Sequence, residues 1–200
     1  MKLAPLVLLT VVTLGSPVRG EVKCTTDGQV TDCQSPQNLA PTQPVGCVTL
    51  GETTAAMTPP DLALSVLSCR DQGRLRDQTE LFTLLMMRGY FDAYRVTDAT
   101  AHQALTVLRM QLGERLGAKD DQALMADLQR LIADKESEGL KDFCARLLAL
   151  PLPDYEPVYM IEHGMNAVIG TADTAPVKEV DAMAVWKSVV SVGLQCPKVD

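Results

Sequence analysis

Aromatic side chains are scarce in this chain: one Trp, three Phe and four Tyr, or 4% of the residues. Its methionines, Met86 and Met87 among them, are therefore expected mainly to fill a core short of rings rather than to line an adaptable binding surface. Histidine is scarcer still, at His102 and His163. No CxxC or CxxH spacing and no HExxH occurs, which removes the usual metal-ligand patterns, so no metal is expected. GxSxG is missing, and with it the strained elbow of a serine nucleophile. No Gly-rich phosphate loop is present, and no cofactor is expected.

Long apolar runs are also missing after the first twenty residues. Leu3–Leu14 follows a basic start at Lys2 and is broken by Gly15-Ser16-Pro17, with small residues at Val18 and Gly20. That is the layout of a secretory signal peptide over residues 1–20. The run is too short for the roughly 20 residues that cross a bilayer. The expectation is a periplasmic or secreted protein with no membrane insertion after cleavage.

Basic charge is in deficit. The chain has 18 Lys and Arg against 25 Asp and Glu, and Lys2 and Arg19 lie in residues 1–20. The remainder carries 16 minus 25, or −9. Such a surface repels phosphate backbones, so no nucleic-acid partner is expected.

What is present is cysteine. All six cysteines follow residue 20, an even number that suggests a disulfide framework in an exported chain. Six allow 15 pairings; closeness in sequence favours Cys24–Cys33 and Cys47–Cys69, leaving Cys144–Cys196. A thiolate nucleophile is then not expected.

Residues 21–58 are rich in Thr, Pro, Gln and Gly and poor in large apolar groups. They read as an irregular arm tethered by disulfides, with a turn at Thr26–Gln29 between two short β-prone pieces. Residues 59–200 read as an all-α domain, a compact bundle of six or seven helices. Thr58 caps the first helix and Gly73 ends it. The second, about Leu75–Tyr94, is apolar on nearly every side over Leu81–Met87, which predicts a central position. Thr100 with Gln103 fits a capping box for the third. Two more helices precede the rigid corner Pro151–Pro157, one spans Val158–Ile169, and the last, about Val180–Leu194, should bury Val180, Met183, Val190 and Leu194. A helical hairpin of this kind has no second copy at a period of about 34–40 residues, so no repeat family is assigned.

Two sets of residues invite a functional reading. Tyr155 and Tyr159 flank the proline corner, and with Glu162, His163 and Asn166 they form the expected binding surface for a protein partner. The second set is Asp98, His102, Glu162 and His163, which would make a hydrolytic or metal site if brought together. The first reading gives an exported soluble interaction protein: an inhibitor, an immunity-type protein or an envelope-assembly factor. The alternative is a small periplasmic hydrolase or metal-dependent enzyme.

Overall fold

The computed structural model describes residues 22–170 and 176–196. The expected signal peptide lies outside the described residues. Among them the protein is mostly helical, with eight α-helices and one two-stranded sheet. No helix there is long and apolar enough to cross a membrane.

The chain begins with an antiparallel hairpin, β1 (Lys23–Asp27) and β2 (Val30–Gln34), in which Cys24 faces Cys33 and is bonded to it. Residues 35–58 have no regular structure apart from a 3-10 turn at Leu50–Glu52, yet they are firmly seated. Leu50 and Met57 enter the core. Asp61, in the first turn of α1 (Pro59–Asp71), accepts hydrogen bonds from Thr42 N, Thr42 Oγ1 and Gln43 N at 2.7, 2.8 and 3.1 Å. Asp61 also completes a capping box with Thr58, so a single buried carboxylate both starts the helix and holds the arm. Cys47–Cys69 pins the same segment further along α1.

Helix α2 (Leu75–Arg95) runs through the middle. It packs on α1, α3 (Gln103–Leu116), α4 (Ala118–Ile132) and α8 (Ala182–Leu194). Leu81, Leu84 and Leu85 have no exposed surface, as expected for a stretch apolar all round. Gly89 allows α3 to come close, because a Cβ there would collide with the Leu105 side chain. Helix α5 (Glu138–Ala149) closes the core with Leu140, Phe143 and Leu147. The bridge Cys144–Cys196 ties it to the end of α8.

Three local expectations are corrected. First, α3 is preceded by a 3-10 turn, Ala99–His102, whose cap is Asp98 and not a Thr100–Gln103 box. The Asp98 carboxylate accepts from Thr100 N at 2.9 Å and from Thr100 Oγ1 at 2.6 Å. Second, Val158–Ile169 is not one helix. It forms two single turns, α6 (Val158–Ile161) and α7 (Met165–Val168), divided at Gly164. Met165 N and Asn166 N donate to Thr100 Oγ1 and Asp98 Oδ2 at 2.8 and 3.1 Å, so partners elsewhere in the chain replace the intrahelical ladder. Third, α8 turns Trp186 into the core, against Phe91 at 6.1 Å between ring centres, and leaves Met183 45% exposed. The indole N–H donates to Leu147 O, which satisfies the buried ring.

Candidate functional site

Two of the expected residues, Glu162 and His163, line a cleft of about 600 Å³. It lies where the arm, α3 and the α6–α7 turns meet. Glu162 and His163, at the end of α6, contribute one wall. Ser35 and Asn38 of the arm close on them: Ser35 Oγ donates to Glu162 Oε2 at 2.5 Å, and His163 Nδ1 lies 2.8 Å from Asn38 Oδ1. A carbonyl oxygen cannot donate, so Nδ1 carries the proton and Nε2 is left as an acceptor. Burial holds the imidazole below the usual histidine range, which favours this neutral form. Leu39, Val107 and Val168 supply apolar surface, and Gln111 stands exposed at the rim. The volume of the cleft falls in the range of small-molecule sites, but its lining is more polar than apolar.

The remaining expected residues are placed differently. His102 is half-buried, and its Nε2 is 3.0 Å from Val96 O, away from the cleft lining. Asp98 caps and splices, as described above. Burial raises its pKa, but the bonds from Thr100, Asn166 N and Ala101 N outweigh this and hold it below the normal range. Of the set Asp98, His102, Glu162 and His163, only Glu162 and His163 line the cleft. Among the described residues no group of three or more His, Cys, Asp or Glu side chains is placed to hold a metal ion.

Tyr155 and Tyr159 were expected on the surface, and both turn inward. Tyr159 is 2% exposed and Tyr155 half-buried. Their hydroxyls donate to Asp92 Oδ2 at 3.0 and 2.9 Å. Arg95 donates to Asp92 Oδ1 from Nε and Nη2, at 3.1 and 2.9 Å, and to Tyr155 O at 2.8 Å. Its guanidinium also stacks on the Phe91 and Tyr155 rings at 5.1 and 5.5 Å. One turn back, the buried Arg88 donates to Met57 O. The stripe Arg88–Asp92–Arg95 thus fastens the proline corner and the arm to α2. Burial pushes the Asp92 carboxyl up to about 6 despite the lowering effects of Arg95 and the two phenols. Both phenols are raised in turn, by burial first and by Asp92 second.

Two further surfaces were not foreseen. A groove of about 520 Å³ between α2, α4 and α5 is lined by charges that neutralise one another. Arg146 holds Glu80 through two bonds of 2.8 Å, and Arg76 and Asp142 complete the network. The other surface is an apolar groove of about 430 Å³ between α2 and α8, walled by Tyr90, Tyr94, Val189 and Val192. Tyr90, Tyr94 and Val192 are 48%, 55% and 75% exposed. Lys178 sits at its edge, its Nζ 4.8 Å from the Tyr94 ring centre. The spacing of Tyr90 and Tyr94, one helical turn apart, places both on one face. In a helix whose middle, Leu81–Met87, is apolar on nearly every side, that spacing alone does not say which face is outward.

No family model matches this chain, and no curated protein and no solved structure matches it.

Proposed function

We propose that the protein is an exported, soluble interaction protein of the inhibitor, immunity-type or envelope-assembly kind. Its partner is a protein that lays an apolar helix into the groove between α2 and α8. The observation that carries this is the exposure of Tyr90, Tyr94 and Val192 together on one apolar surface. Aromatic residues left outside a core are enriched at interface centres, and a groove between two helices accepts a third. The walls are uncharged, and Lys178 lies at the edge, so the fitting helix carries a carboxylate beside its apolar ridge. Three disulfides support export. The hydrolytic alternative has less behind it, because His102 and Asp98 are engaged in structural bonds away from the cleft.

A photo-crosslinking amino acid at position 94, in the full chain in its native cells, tests this. The expected result is a crosslink to one protein, reduced several-fold by Lys178→Glu and removed by Val192→Asp. The same reagent at the exposed Met110 on α3 should not reach that protein. A product of twice the chain's own mass would mean self-association. That outcome, equal crosslinking from Met110, or no product at all, overturns the proposal.

A further inference from the structure

We propose that the buried guanidinium of Arg88 binds a small inorganic anion of halide size. The site lies inside the clamp that fastens the arm and the proline corner to α2. It is separate from the α2–α8 groove and does not depend on the function proposed for it.

Arg88 has no exposed surface. Its Nη1 donates to Met57 O. Nε and Nη2 are buried and have no hydrogen-bond partner among the described residues. These two nitrogens form one edge of the planar guanidinium, the edge that grips an acceptor with two bonds. A buried charge with unspent donors is costly unless it is paired. The titratable groups whose charge Arg88 feels are Tyr155, Asp92, Asp154 and Asp61, which oppose the lowering of its pKa by burial. None of them supplies the missing acceptor. Asp61 of α1 is spent on Thr42, Gln43 and Thr58. Asp154 of the corner is exposed. Asp92 gives Oδ1 to Arg95 and Oδ2 to the phenols of Tyr155 and Tyr159. Asp92 also keeps its proton to about 6, and both phenols stay neutral. Below that value two guanidiniums, Arg88 and Arg95, share the clamp with Asp92 uncharged. Negative charge and an acceptor surface are both wanted there, and a water molecule offers only the second. Complete burial of Arg88 limits the ligand to a small ion. Once Asp92 ionises, its charge replaces that of the anion and repels it, so anion and proton enter together.

The test uses the full oxidised chain. Crystals grown in sodium bromide at about pH 4.5, below the titration of Asp92, should show an anomalous peak in contact with Arg88 Nε and Nη2. In solution at that pH, sodium chloride should raise the melting temperature saturably above sodium gluconate of equal ionic strength. At about pH 7.5 the difference should fall several-fold. Asp92→Asn, neutral at every pH, should keep the chloride effect at both values, and Arg88→Met should abolish it. Should Arg88→Met fail to fold, the bromide map and Asp92→Asn decide. Anomalous peaks confined to exposed arginines would mean an adventitious ion only. That result, a water alone at Arg88, or a chloride effect equal at both pH values in the parent would overturn the proposal.

Discussion

Asp92 gives the sharpest test of the physical picture. In the unfolded chain its carboxyl ionises near 3.8, and in the fold it holds its proton to about 6. The folded state therefore binds more protons between these values, and stability must fall as pH rises from about 4 to 6. The contribution is fully present below about 4 and is lost once pH has passed through about 6. A shift of about two units corresponds to roughly 3 kcal/mol. Other carboxylates act in the opposite sense. The pKa of Asp61, Glu80 and Asp98 is lowered, so their stabilisation is lost as pH falls through the acid range. The isolating comparison is Asp92→Asn, which keeps the shape and the neutral side chain and cannot titrate. Urea unfolding of both proteins, disulfides intact, at intervals from pH 4 to 7 gives the difference directly. Relative to Asp92→Asn, the parent should lose on the order of 3 kcal/mol across that window. A difference that stays flat, or that grows in favour of the parent with pH, would refute the reasoning.

Other expectations follow from single contacts. Gly164→Ala places a Cβ on Asp98 Oδ2 and 3.0 Å from Ala101 Cβ, and should cost about 1–3 kcal/mol in denaturant unfolding. Replacing both Cys144 and Cys196 by Ser opens a link across a sequence separation of 52 and should cost roughly 2–5 kcal/mol by thermal melting. His102→Gln should cost on the order of 1 kcal/mol, the net worth of one bond to Val96 O, and leave the amide NMR signals of the cleft residues unmoved. Arg146→Ala strips the largely buried Glu80 of its two-pronged partner and should cost about 1–3 kcal/mol in urea unfolding.

The helices were legible because caps and apolar spacing are local. Thr58 and Asp61 are three residues apart, and Gly73 adopts a positive φ of 67° just past α1. The central place of α2 was readable for the same reason. What escaped was decided by distant partners. The break at Gly164 depends on Asp98 and Thr100, more than sixty positions earlier in the chain. Which tyrosines face outward depends on Asp92 and Arg95, charged residues that composition alone assigns to the surface. A clue was present: Arg88, Asp92 and Arg95 fall at spacings of four and three, a charged stripe that follows the apolar stretch Leu81–Met87. Polar groups inside such a helix need partners, and the two phenols of the proline corner supply them. Of the expected site, Glu162 and His163 did reach a cleft, but the arm residues that orient them, Ser35 and Asn38, carried no motif.

The three bridges share a property of order. Each cysteine is joined to the next one along the chain: 24 to 33, 47 to 69, 144 to 196. No link encloses another, and none crosses. For a chain threaded outward from its amino end, a thiol that reacts with the last unpaired thiol to emerge before it arrives at this pattern without correction. Reshuffling through mixed disulfides, which takes seconds to hours, is then not required for the native set. An oxidase that simply pairs cysteines in their order of arrival suffices, and the stretch from α2 to α4 enters the fold with no covalent constraint of its own.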